Sequence, residues 1–294
     1  MSDTRTTFIA TATVIVTGTL WGVYWMPVRS LSDAGLTGAW GTLAITSAAI
    51  VLLAPWVLVR RRRPERADIA TIVAIALGGA AFALYSIGFV YGRVAIIALL
   101  FFLTPVWSTL IGRYVMGWRT PPLRLAAIAV GLVGLATMLS AYGQAPIPRN
   151  IGEWMALASG LLWSVSTTTI RSRSRMAPPE AAFIFALGAA AMSLVLAPML
   201  EPWPTTSTLS LALIFATGGI WWVLSMLGLL WAAVRLDPAR VGILLMAEVL
   251  VGAGSAAVLA GETLNTLELA GGALVLCAGV LEIWPQRAKP GLKA

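Results

Sequence analysis

Histidine is absent from the 294 residues, and cysteine occurs once, as Cys277. The first absence removes the side chain most used as general base, proton relay and zinc ligand. The second rules out an intrachain disulfide and argues against a soft-metal site, so no metal and no cofactor is expected. Charge is scarce as well: 11% of residues carry it, against about 25% in an ordinary soluble domain. Too few polar groups exist to coat a water-facing surface. No GxxxxGK[ST] loop occurs in the chain, so ATP is not an expected partner or energy source.

What the chain has in abundance is apolar length. Apolar residues make up 59% of it, and a hydrocarbon core about 30 Å thick needs roughly 20 of them per crossing. Ten such runs stand near 7–28, 36–59, 68–91, 94–116, 122–141, 150–171, 180–199, 207–233, 239–260 and 265–284. They are continuously apolar and not alternating, which disfavours a transmembrane barrel. The expected fold is an all-α integral membrane protein of ten transmembrane helices in one membrane domain. The opening "MSDTRTTF" leads into a run without a small-residue cleavage site, so the first run is read as a retained helix.

The net charge of +8 would suit a nucleic-acid binder, but its placement argues for a membrane orientation. With the N-terminus cytoplasmic, 17 of the 20 basic residues fall inside, including the run Arg60 to Arg63, and only Arg29, Arg93 and Arg149 fall outside. That is the positive-inside bias. It places both termini in the cytoplasm, suits the cytoplasmic (inner) membrane, and leaves lipid rather than nucleic acid as the large partner.

The chain also repeats itself. "GTLWGVYWMPVRS" (Gly18 to Ser30) returns as "GLLWSVSTTTIRS" (Gly160 to Ser172), and "GGAAFALYSIG" (Gly78 to Gly88) lies on "GGIWWVLSMLG" (Gly218 to Gly228) at offset 140. "TPVWSTLIGRYVMGWRT" from Thr104 and "AAIAVGLVGLA" from Ala126 have counterparts at offsets 144 and 145. The two units are therefore 7–143, with helices 1–5, and 147–286, with helices 6–10. Five is odd, so the second unit enters the bilayer from the opposite face. Such inverted-topology repeats commonly hold a substrate site near the midplane between halves.

These motifs resemble the EamA-type, ten-helix members of the drug/metabolite transporter superfamily. "GTLWGV" and "GLLWSV" are similar to the opening helix of each half, "FFLTPVWSTLIG" to the Pro-containing fourth helix, and "LAGETLN" to the end of the ninth. Trp118 stands where the first half usually carries Glu, and Val249 where the ninth helix usually carries Pro. The aromatic-rich core is most similar to YddG-type amino-acid exporters, and the resemblance implies export by alternating access.

A path for a polar solute needs polar or aromatic groups on inward faces at helical spacing. Helix 1 offers Trp21 and Tyr24, helix 3 Phe82, Tyr85 and Ser86, and helix 4 Phe101, Thr104 and Ser108. Helix 6 offers Trp163, Ser166 and Thr167, and helix 8 Trp222 and Ser225. The competing reading for each ring is lipid or core packing, and for each hydroxyl a bond to backbone. Pro27 withholds a backbone donor from a carbonyl one turn earlier, and Pro105 opens a similar gap; both are hinge candidates. Glu248 is the one carboxylate at mid-depth, with no Lys or Arg central in any run to neutralise it. Either it is protonated and held by hydroxyl or indole donors, or it faces water in a cavity, and it is then a coupling candidate or the partner of a substrate ammonium; the competing reading is a neutral Glu bonded across a helix interface. Glu153 and Glu262, near run ends, read as solvated or capping.

The residues thus point to a secondary transporter of small amphipathic metabolites, neutral or aromatic amino acids above all. A multidrug efflux protein on the same scaffold is the alternative. An intramembrane enzyme is remote, because no Ser-His, Asp-Asp or metal set is available.

Overall fold

A computed structural model describes residues 2–60, 69–117, 122–143, 145–170, 176–204, 208–233, 235–236, 241 and 244–283. Trp118, Trp284 and most of the basic residues counted above, including Arg61 to Arg63, lie outside the described residues. Everything that forms regular structure is helical among the described residues, as lipid demands: each backbone N–H and C=O must find its partner within the chain. The elements are α1 (Ser2–Gly22), α2 (Trp25–Asp33), α3 (Gly38–Arg60), α4 (Ile69–Tyr91), α5 (Val94–Phe101), α6 (Thr104–Tyr114) and α7 (Pro122–Leu139). Then come α8 (Ile151–Ile170), α9 (Pro178–Leu200), α10 (Thr208–Phe215), a π-helical stretch (Ala216–Val223), α11 (Leu224–Ala233), α12 (Ala247–Leu259) and α13 (Thr266–Ile283).

These elements make ten crossings once the broken ones are joined. The first is α1 with α2, the fourth α5 with α6, and the eighth α10 with the π stretch and α11. Six segments are long and apolar enough to cross a bilayer unaided, and three more, Leu125–Leu139, Ala247–Leu259 and Thr266–Leu281, are shorter and apolar. Most ends of the ten expected runs are matched to within a few residues, but the first crossing extends to Asp33, and the first, fourth, eighth and ninth runs are interrupted, the ninth by a turn at Met246 before α12 begins at Ala247.

The packing is two-fold in pattern. Crossing 3 packs on 6 and 7 (α4 on α8 and α9), and its counterpart 8 packs on 1 and 2 (α11 on α1, the π stretch on α3). Crossing 4 lies on 6, and 9 on 1, while 2·7 and 5·10 pair across the centre. An inverted repeat produces this set, because every contact between halves must have its mirror. Two glycine contacts obey the same symmetry. A Cβ on Gly79 would lie 2.0 Å from the Phe185 carbonyl, and one on Gly218 would lie 2.5 Å from the Ile45 carbonyl. Ile45 and Phe185 are separated by the same offset that relates the two glycine pairs, so only residues without side chains let crossings 3 and 8 approach this closely.

Candidate functional site

Three crossings break at comparable depth, and the breaks create the site. In crossing 1 the Tyr24 N–H turns to the Trp21 carbonyl at 3.1 Å, three residues back, which frees the Leu20 carbonyl. The indole Nε1 of Trp221 satisfies it at 3.0 Å. Trp221 lies in the π stretch, whose wider turn lets Trp221 cap crossing 1 while its neighbour Trp222 turns inward. Pro27 falls in the first turn of α2. The carbonyl it was expected to starve, that of Val23, is taken by the Met26 N–H at 3.1 Å. The orphan is one turn further back, because the tight turn at Val23–Tyr24, and not the proline ring, shifts the bonding. Crossing 4 breaks at Phe102–Leu103, and Pro105 follows in the first turn of α6, where a missing N–H costs nothing. Its Thr104 carbonyl accepts from Ser164 Oγ at 3.0 Å. Crossing 9 turns at Met246, immediately before Glu248.

A cavity of about 250 Å³ lies among these breaks. Trp21, Phe82, Tyr85, Phe101, Thr104, Trp163, Thr167 and Glu248 line it, as does Ser108. Six rings wall it in sequence. Trp21 meets Phe82 at 5.4 Å, Phe82 meets Phe185 at 6.0 Å, Phe185 meets Trp163 at 6.0 Å, Trp163 meets Phe101 at 6.0 Å, and Phe101 meets Tyr85 at 4.5 Å. Most are edge-on or tilted, the arrangement that ring quadrupoles favour. Glu248 closes the wall from the other repeat: the Tyr85 hydroxyl donates to its Oε1 at 3.0 Å. The carboxyl thus has a hydroxyl donor across the interface of crossings 3 and 9, and it also borders the cavity. Gly22 permits the approach, since a Cβ there would sit 2.8 Å from the Glu248 carbonyl.

Five of the expected inward residues do not line the cavity. Tyr24 is buried behind Phe82, ring to ring at 5.7 Å. Trp222 is also fully buried and backs Phe82 and Phe185 at 6.0 and 5.8 Å. Ser86 shares a hydrogen bond with Thr42 at 2.9 Å, between crossings 3 and 2. Ser166 donates to the Ala74 carbonyl at 2.6 Å, and Ser225 to the Trp222 carbonyl at 3.0 Å. Ser166 and Ser225 thus bond to backbone carbonyls and Ser86 to a neighbouring helix's hydroxyl, since a buried O–H takes a partner in the packed protein. Thr167 borders the cavity but spends its hydroxyl on the Trp163 carbonyl at 2.8 Å. Phe102, Phe185, Met226, Leu229, Leu245, Met246 and Gly279 line the space without having been foreseen. Phe185 sits in a crossing with no polar face to advertise it, and Phe102, Leu245 and Met246 lie at breaks that hydropathy does not register.

The lining residues come from the middle stretches of crossings 1, 3, 4 and 6 to 10. One end of the bundle is sealed by charge. Arg29 donates to the carbonyls of Phe89 and Gly92 and to Glu262 Oε1, each at 3.1 Å. Glu262 also accepts the N–H groups of Val94 at 3.0 Å and Ala95 at 3.4 Å, the start of α5. It caps, as expected, but its side chain is only 10% exposed, so it is not solvated. Arg93 donates to Glu268 Oε1 at 2.7 Å and to the Thr263 carbonyl. Both pairs join repeat one to repeat two. Trp25 adds a third tie, its Nε1 donating to Ser255 Oγ at 3.0 Å under the Arg29 guanidinium, 5.2 Å from the ring. Arg149, at the same end, stacks on Tyr142 at 5.0 Å, and its backbone N–H donates to the buried Glu153 at 2.8 Å. The three arginines set apart by the charge count thus share one end of the molecule, and each has a fixed partner there.

The model of the EamA-like transporter family matches twice, over residues 8–140 and 150–283. The chain belongs to this family of membrane transporters. A solved structure described only as "Crystal structure of protein" superposes with a TM-score of 0.61 at 19% identity, covering 94% of this chain and 98% of its own. At that identity the likeness speaks for the fold alone. No curated protein matches the sequence significantly.

Proposed function

We propose that the chain is a secondary transporter that exports small amphipathic metabolites, neutral and aromatic amino acids above all, by alternating access. The observation that carries this reading is the ring-walled cavity with one carboxylate, Glu248, ending beneath an inter-repeat polar seal. A central space beside an end that ion pairs hold shut suits one half-cycle of alternating access. With both termini cytoplasmic in the inner membrane, as the basic bias favours, the sealed end faces outward and the cavity can load a solute from the cell interior for export. The rings suit an apolar side chain, and Thr104, Ser108 and Glu248 supply the polar contacts. Pro27 and Pro105 each stand just past a break, where a helix segment can tilt, so they remain the hinge candidates. Glu248 is the coupling candidate, since a carboxyl at mid-depth can exchange a proton for a solute group. The likeness to YddG-type exporters is the source of the amino-acid preference and of the outward direction.

A second reading, multidrug efflux, is favoured by the same carboxylate among rings, a setting that suits lipophilic cations. Counterflow in proteoliposomes against a panel of amino acids, sugars and cationic dyes tests both. Exchange restricted to amino acids supports the first reading, exchange restricted to dyes supports the second, and exchange of neither refutes transport of these classes.

A further inference from the structure

Charge is distributed unevenly around the cavity. Glu248 is the only charged residue in its lining, and no lysine or arginine borders it among the described residues. An α-amino acid is a zwitterion, so half of its charge would enter this space without a counter-ion. Arg29 is not available to supply one. Its guanidinium is spent on Glu262 and two backbone carbonyls at the sealed end, beyond the Tyr85–Phe89 ring pair at 4.6 Å.

On the premise that this cavity is the solute site, we propose that it binds its solute through a protonated amine at Glu248 and offers a solute carboxylate no cationic partner. Arylalkylamines would therefore bind more tightly than the amino acids that carry the same side chain. The geometry for the amine is in place. Tyr85 occupies Oε1 of Glu248 from one direction, and a carboxylate has about four lone-pair sites, so acceptor capacity is left for an ammonium. Trp21, Phe82, Tyr85, Phe101 and Trp163 border the same space and present ring faces or edges to the methylene and aryl parts of such a solute. Ring faces also attract the cation itself.

The carboxylate of an amino acid meets the opposite conditions. It is two bonds from the ammonium, so binding the amine at Glu248 brings two negative groups close together in a weakly polar space, where repulsion is strong. The groups that could donate to it are few. Thr167 already serves the Trp163 carbonyl, which leaves the hydroxyls of Thr104 and Ser108 and the indole N–H groups of Trp21 and Trp163 among the lining donors. Neutral donors compensate a buried anion only in part.

The experiment compares three probes of one shape: phenethylamine, L-phenylalanine and 3-phenylpropionate. Their affinities for the purified full chain are measured by calorimetry at pH 7, where the amine is charged, and their competition is measured in phenylalanine counterflow. The expected order is phenethylamine tighter than phenylalanine by about tenfold or more, equivalent to at least 1.4 kcal/mol, with phenylpropionate not bound. In Glu248→Gln the preference collapses to within about threefold. In Tyr85→Phe, which frees Oε1, amine affinity is retained or raised. Phenylalanine binding as tightly as phenethylamine, measurable phenylpropionate binding, or binding of none of the three overturns the proposal. The order among probes is read on the unaltered protein, so a variant that fails to fold does not blunt the test. If phenethylamine binds and is carried while phenylalanine is not, the amine rule stands and the amino-acid export reading falls. If phenylalanine is carried and the amine does not compete, the reverse holds.

Discussion

The middle of this bundle and one of its ends solve the same problem, holding the halves together, by opposite means. In the middle, crossings 1, 4 and 9 break around a space walled by rings. At the sealed end, arginines of repeat one reach carboxylates of repeat two and bind backbone groups as well. Aromatic walls can slide past one another at small cost, because their contacts are broad and weakly directional. Charge-assisted bonds hold until broken and then release completely. The comparison teaches where the molecule is built to be soft and where it is built to switch.

The largest expected effect is in the soft middle. Glu248→Gln keeps the size of the side chain and its ability to accept from Tyr85, but removes the charge that a solute amine or a proton would seek. Transport is expected to fall by tenfold or more, and its dependence on pH to disappear, as read by counterflow between pH 5.5 and 8. Unchanged flux and pH profile would remove Glu248 from both roles.

Next comes the seal. Glu262→Gln deletes one ion pair and weakens the cap on α5, so the sealed end should open more often. Because the pair is partly exposed, solvent screens part of its strength, and a shift of about tenfold in the open population is the upper expectation. Labelling of an Ala95→Cys variant, made in a Cys277→Ser background, by an impermeant maleimide reads that shift. The charge swap Arg29→Glu with Glu262→Arg should not restore closure. Arg29 also faces two carbonyls and Glu262 two N–H groups, so each reversed charge meets backbone of the wrong polarity. Full rescue by the swap would show that the pair alone, without its backbone partners, makes the seal.

This contrast also marks what could be read from residues alone. The ten crossings and their inverted arrangement were legible because length, apolarity and an in-register duplication repeat the same message many times. Trp21, Phe82, Tyr85, Phe101, Trp163 and Glu248 were legible as inward-facing because aromatics and carboxylates at mid-depth are rare and demand a reason. Ser86, Ser166 and Ser225 turn away from the cavity to a hydroxyl or carbonyl of the packed structure, and which partner lies opposite a serine is a property of its neighbour that one helix's spacing does not carry. Glu268 was invisible for a related reason. It stands in the first turn of α13, where an acid is ordinary, and only the fold brings Arg93 to it. The breaks in crossings 1 and 4 were half legible, with Pro27 and Pro105 marking the neighbourhood and the turn falling a few residues earlier, while those in crossings 8 and 9 carry no proline.

A smaller effect is expected where soft and switching parts meet. Trp221 caps the Leu20 carbonyl that the break in crossing 1 exposes. Trp221→Phe keeps the ring and removes the donor, leaving a carbonyl without its bond, at a cost of about 1–3 kcal/mol. Unfolding in mixed micelles with increasing sodium dodecyl sulfate should show that loss. An unaltered midpoint would mean that crossing 1 relaxes back to a continuous helix and has no need of the cap.

The smallest effect should come from Ser255→Ala, which removes the acceptor for Trp25 Nε1. Hydrogen bonds between membrane helices average about 0.6 kcal/mol, and Trp25 keeps its second partner, the Arg29 guanidinium over its ring. The unfolding midpoint should therefore barely move, and the maleimide labelling of the seal should rise by less than about threefold. If Ser255→Ala instead opened the seal as far as Glu262→Gln does, closure would rest on the α2–α12 contact that carries Trp25. The ion pairs would then follow that contact instead of holding it, and the switching end would be governed by the same aromatic packing as the soft middle.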